Sequence, residues 1–148
     1  MVGFSLLFVY LIVFFELKNC YQMNIPDNLK YTKDHEWIKI DGEMALVGIT
    51  DFAQGELGDI VFIEIETVGE HVAKGDVFGT IEAVKTVSDL FMPASGTIIE
   101  MNENLGNSPE LINKDPFDKG WLIKVKLDDK KQLDELLSAT EYKNLINA

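Results

Sequence analysis

The chain contains no arginine; its thirteen basic residues are all lysine, set against 25 aspartates and glutamates for a net charge of −12 in 148 residues. Without guanidinium forks it lacks the usual means of gripping phosphate or guanine with paired hydrogen bonds. The acidic excess leaves nothing to neutralise a phosphate backbone, which excludes a nucleic-acid-binding role. Cysteine is equally scarce. Cys20 stands alone, so no disulfide framework can form within the chain. The two histidines, His35 and His71, do not join it at zinc-ligand spacing, and no metal site is expected. Gly-x-Ser-x-Gly, a phosphate-binding loop and Gly-x-Gly-x-x-Gly are all missing. No catalytic constellation is complete, so the chain reads as a non-enzyme. What is present is an acidic surface suited to solubility and to steering toward basic patches on partner proteins.

Length fits one domain with an adequate core. Residues 1–15 carry no charge, yet as a helix at ~1.5 Å per residue they would span only about 22 Å. That is short of the ~30 Å hydrocarbon core of a bilayer. No basic region precedes them, as a signal peptide requires, and Leu17-Lys-Asn-Cys20 matches a lipoprotein cleavage site poorly. Met23 opens a polar stretch that reads as a natural start. The expectation is that residues 1–22 are an upstream extension of the reading frame and that residues 23–148 form the domain. A membrane anchor is the alternative. The first reading places the protein in the cytoplasm and the second at a membrane.

Strand signals dominate from Met23 onward. His35 to Ile40 alternates and ends at Asp41-Gly42, a hairpin turn pair, with Glu43 to Ile49 returning. Thr50 is placed to cap a short helix over Asp51 to Leu57. Ile60 to Glu66 reads as a strand with Val61, Ile63 and Ile65 inward and Glu64 and Glu66 opposite. Val68 to Gly75 is turn material around a short strand, and Gly96 to Met101 is a further strand. Asn102 to Phe117 reads as a long polar loop. Trp121 to Leu127 alternates again with Ile123, Val125 and Leu127 inward. From about residue 129 the period changes. Leu133, Leu136 and Leu137, then Tyr142, Leu145 and Ile146, predict two short amphipathic helices, with Ser138-Ala-Thr-Glu141 as a capping box between them. The fold class is mainly β: a sandwich or flattened barrel with a short helix after the second strand and helices at the C-terminus.

Lys85 separates two apolar, β-prone runs, Phe78 to Val84 and Thr86 to Met92, with Gly79 six residues before it and Gly96 eleven after. Small residues at those places permit tight strand entry and exit around a displayed turn. The arrangement resembles the biotinyl/lipoyl attachment fold, a barrel-sandwich hybrid whose hairpin lysine is acylated. Biotin carriers flank that lysine with methionines, and dehydrogenase-type lipoyl domains carry Asp-Lys-Ala; here it lies between Val84 and Thr86. Seven segments taken in order resemble the H protein of the glycine cleavage system. They are Leu29 to Trp37, Val47 to Asp51, Leu57 to Val61, Glu82 to Asp89, Pro93 to Gly96, Leu111 to Asn113 and Gly120 to Lys124.

That resemblance implies lipoate attached to Lys85 as N6-lipoyllysine. It further implies a carrier that takes the aminomethyl group of glycine from a glycine decarboxylase (P protein) to a tetrahydrofolate-dependent aminomethyltransferase (T protein). Dihydrolipoyl dehydrogenase (L protein) then reoxidises it. A lipoate-attaching enzyme is the fourth implied partner, and Glu82, three residues before the lysine, is the candidate for its recognition. Carried over by position, the groups that hold the loaded arm in a cleft fall at Glu36 and Asp89, with Asp34 where the family often has serine. By residue type alone, Glu36 and Asp89 read as solvated surface carboxylates, and His35 and Trp37 as packing beside the cleft. An alternative function is an H-like relay of lipoyl or octanoyl groups to other lipoate-dependent enzymes.

Overall fold

The computed structural model describes residues 23–148, and the expectations for residues 1–22 lie outside them. Among the described residues, nine strands form two antiparallel sheets. The larger has the order β1-β2-β3-β9-β8-β5 and the smaller β4-β6-β7. In the larger sheet, β1 is Lys30–Tyr31, β2 Glu36–Asp41, β3 Met44–Ile49, β5 His71–Val72, β8 Gly96–Met101 and β9 Ile123–Leu127. In the smaller, β4 is Ile60–Glu64, β6 Val77–Ala83 and β7 Val87–Phe91. The mainly β sandwich expected from the alternation is present.

Turn chemistry sets the register. Asp41 pairs with Met44 around Gly42, whose φ of 63° only glycine adopts freely. Between the sheets lies a core that includes Ile38, Val47, Ile63, Phe78, Ile81, Ile98, Ile123 and Val125. A second cluster, with Tyr31, Trp37 and Tyr142 at its centre, joins the N-terminal strands to the C-terminal helix. Gly48 pairs with Trp37 and leaves room for the indole; a Cβ there would stand 2.6 Å from that ring.

Helix α1, Asp51–Leu57, is capped by Thr50, whose hydroxyl accepts from the Ala53 amide at 3.2 Å. The stretch from Asn102 to Phe117 differs from the expected loop. It holds two single-turn helices, α2 (Asn104–Asn107) and α3 (Leu111–Lys114), which bury Leu105 and Ile112. In the tail, the first expected helix is a 3₁₀ turn over Lys130–Glu135, and the second is α4, Ala139–Ile146. The capping box between them is complete, Ser138 and Glu141 each accepting from the other's amide at 3.2 Å.

One face assignment is corrected. Val61 was expected inward, yet it is 51% exposed, because the pairing of β4 with β6 shifts between Ile60 and Phe62. A bulge adds one residue to one strand and breaks strict alternation there. Ile63 and Ile65 are inward as expected.

Candidate functional site

Lys85 occupies the turn between β6 and β7, exposed along with its neighbours Val84 and Thr86. The turn is short and braced. The Ala83 amide donates to the Thr86 carbonyl at 2.8 Å, and the Val84 amide donates to the Asp59 carbonyl at 3.0 Å. Among the described residues Lys85 enters no ion pair. Gly79 and Gly96 are required by close approach, since a Cβ would stand 2.6 Å from the Glu64 carbonyl at the first and 2.5 Å from the Lys126 carbonyl at the second. The lysine therefore rides on a stiff support with its amine free in solvent.

Glu36 is the unusual acid. It is 2% exposed, contrary to the solvated reading its residue type suggested. It opens β2 just after a tight turn in which His35 adopts a φ of 67°. Thr32 clasps it from across that turn. The Thr32 hydroxyl donates to Glu36 Oε1 at 2.9 Å and accepts from the Glu36 amide at 3.1 Å. The other carboxylate oxygen, Oε2, accepts from the Phe91 amide on β7 at 3.3 Å. Burial pushes the carboxyl up to about 8; the two hydrogen bonds oppose that and nearby Asp34 adds to it. Glu36 is accordingly held mostly protonated at neutral pH.

Glu36 and Asp34 line one hollow of about 280 Å³, together with Met92 and with Leu136 and Leu137 of the tail. Lys74 and Glu135 form an ion pair at its border. Asp89 is exposed and is not part of that lining. It projects from β7 two residues before Phe91, level with Thr80 of β6. Glu82 pairs with Val87 at the lysine end of the same hairpin. At ~3.3 Å per residue, Asp89 lies about 7 Å along β7 from Val87, the first strand residue after the lysine turn. The structure thus joins Asp34 to Glu36 and sets Asp89 between them and the lysine.

Three comparisons with known proteins bear on this arrangement. A family model described as "Glycine cleavage H-protein" matches residues 29–148. The glycine cleavage system H protein of Bacteroides thetaiotaomicron is 58% identical over 125 residues, covering 84% of this chain and 99% of that protein. This chain belongs to the glycine cleavage H-protein family. The Staphylococcus haemolyticus H protein is 52% identical over 124 residues, covering 84% of this chain and 98% of its own length. A crystal structure of the H protein from Mycobacterium marinum superposes with a TM-score of 0.77 at 42% identity, covering 84% of this chain and all of that one.

Within this H-protein fold, His35 and Trp37 are packing residues, as their residue types suggested. The His35 ring lies 4.7 Å from Phe52, and its Nδ1 meets the Tyr142 hydroxyl at 2.9 Å. Trp37 Nε1 donates to the Pro116 carbonyl at 2.9 Å. Sequence reasoning missed Thr32 and the Phe91 amide. A hydroxyl four residues before an acid across a turn was a signal for Thr32. Nothing local marked Phe91, which is 55 residues from Glu36.

Proposed function

We propose that this chain is the lipoyl carrier of the glycine cleavage system, with lipoate joined as an amide to Lys85. The observation that carries the reading is the display of Lys85 on a braced hairpin in a chain of the H-protein family. The site fits the group. The amine stands in solvent and acylating it strips no charge from an ion pair found among the described residues. When attached, lipoate supplies a dithiolane that takes up the aminomethyl group of glycine with reduction of its disulfide, and later gives the group up.

The chain itself does no bond chemistry in this reading; it presents the arm and shelters its cargo. Its partners are glycine decarboxylase, the aminomethyltransferase, dihydrolipoyl dehydrogenase and a lipoate-attaching enzyme. Tethering keeps the reactive end at high effective concentration near each docked enzyme. Asp34 and Glu36 receive the cationic amine in their hollow, and Asp89 steadies the arm on the way. A cation within ~4–6 Å favours the ionised carboxyl, so its arrival displaces the Glu36 proton. The carrier domain spans 23–148 and works in the cytoplasm. No described helix is long and apolar enough to cross a membrane.

Intact-mass measurement after incubation with lipoate, ATP and a lipoate ligase tests the site: one lipoyl adduct per chain is expected, and none on Lys85→Arg. Surviving incorporation in that variant moves the site elsewhere. A fully lipoylated chain that fails to support glycine cleavage with the three partner enzymes would leave a lipoyl relay as the better reading.

A further inference from the structure

The outward face of the small sheet is divided by chemistry. Directly paired residues share a face, as do alternate residues along a strand. Phe62, Glu82 and Val87 therefore form one row across β4, β6 and β7, and Glu64, Thr80 and Asp89 form the next. The row nearer Lys85 is apolar at both ends, with Phe62 50% and Val87 62% exposed. Val84, in the turn, is 71% exposed, and the bulge turns Val61 outward beside Phe62. Single exposed apolar side chains are ordinary. Four gathered at the end of one small sheet, around one exposed lysine, mark a contact surface.

We infer that Val61, Phe62, Val84 and Val87 form the seat of the enzyme that attaches lipoate to Lys85, an enzyme whose lysine-accepting mouth is apolar with a basic rim. This rests on the reading of Lys85 as the acylated residue. Position selects that occupant. The attaching enzyme must enclose Nζ at the root of the arm, where Val84 and Val87 lie within two residues. Enzymes that act on the dithiolane work at the far end of the arm and have no need to reach those valines. In the attachment step Nζ, as the free amine, attacks an activated lipoyl carbonyl. The amide bond forms, the bond to the activating group breaks, and nitrogen gives up a proton.

Charge selects the rim. The three strands carry no lysine, and Glu64, Glu82 and Asp89 project from their outward face. Exposed Asp59 borders the turn, its carbonyl held by Val84. Lysine or arginine on the partner complements these acids, speeding encounter and making the rate depend on salt.

The test is the rate of lipoyl attachment to the full chain by a lipoate ligase with lipoate and ATP, followed by intact mass. Val84→Ser/Val87→Ser and, separately, Phe62→Ser should each lower kcat/KM for the chain at least tenfold, mostly through KM. Glu82→Gln should weaken the salt dependence, and Val68→Ser, a substitution at an exposed valine outside the cluster, should change nothing. Once fully lipoylated, the double variant should be reoxidised by dihydrolipoyl dehydrogenase at the normal rate. Unchanged attachment kinetics in the double variant and in Phe62→Ser overturn the inference, as does an equal loss with the dehydrogenase. Slow variants that still reach one adduct per chain leave the Lys85 reading intact, whereas an unmodified wild-type chain overturns that reading itself.

Discussion

The amide of Phe91 donates to the carboxylate of Glu36, so the outer strand of the small sheet is tied to the first turn of the large one. The tie places a buried, proton-holding acid beside the strand that leads from Lys85. It also makes that acid's ionisation a property of how the two sheets meet.

Stability should report that ionisation. Glu36 is raised from 4.5 to about 8 in the folded chain. The folded state then holds a proton that the unfolded state has released between those values. Glu36 contributes most below pH ~4.5, and that contribution is lost as pH rises toward ~8, on the order of a few kcal/mol over the window. The unfolding free energy of Glu36→Gln minus that of the wild type should therefore grow from pH 5 to pH 8 in urea titrations. A constant difference would show that Glu36 is ionised throughout.

Thr32 should control the same acid. Thr32→Val removes the donor to Oε1 and the acceptor of the Glu36 amide, costing about 1–3 kcal/mol. Since that hydrogen bond holds the Glu36 pKa down, the variant should titrate Glu36 at higher pH by carboxyl NMR. In aminomethyl-loaded protein, Glu36→Ala should speed loss of the group. An unchanged decay rate counts against the hollow as its resting place.

Two glycines should respond oppositely to the same methyl group. Gly96→Ala drives a Cβ to 2.5 Å from both the Lys126 carbonyl and a Val125 methyl, and strand β8 cannot move without breaking its ladder to β9. A loss of roughly 1–3 kcal/mol is expected. Gly106, in α2, has open space around its position. Gly106→Ala should be neutral or add up to ~1 kcal/mol, as expected for glycine replaced within a helix. Thermal unfolding of both variants checks the contrast.

The Tyr142 hydroxyl joins three parts of the chain, lying 2.9 Å from His35 Nδ1 and 2.7 Å from Thr50 Oγ1. Its ring stacks on Tyr31 at 4.7 Å. Tyr142→Phe keeps the stack, removes the partner of His35 Nδ1 and leaves Thr50 Oγ1 with the Ala53 amide alone, so a loss of about 1–3 kcal/mol is expected. Burial lowers the His35 pKa, against Asp34 and Glu56, which raise it. Hydrogen exchange should show the C-terminal helix opening more readily in the variant, and unchanged protection there would limit the hydroxyl to a passive role.

Much of this protein is local and was therefore written in its residue order. Alternation and turn chemistry placed the β2–β3 hairpin, β8 and β9. Thr50 and Ser138 marked their helices because a cap acts over three residues. The absence of arginine and the isolation of Cys20 excluded whole classes of function. Lys85 was legible because its display needs only two adjoining strands and a short turn. Val61 was misjudged because a bulge depends on how β4 meets β6 rather than on β4 alone. Glu36 looked like a surface acid for a similar reason. Its raised pKa comes from burial, which outweighs the opposing hydrogen bond from the Phe91 amide, 55 residues later, beside a hollow that tail residues also line. Charge, capping and alternation act at short range along the chain; solvent exclusion acts only between segments that folding has brought together.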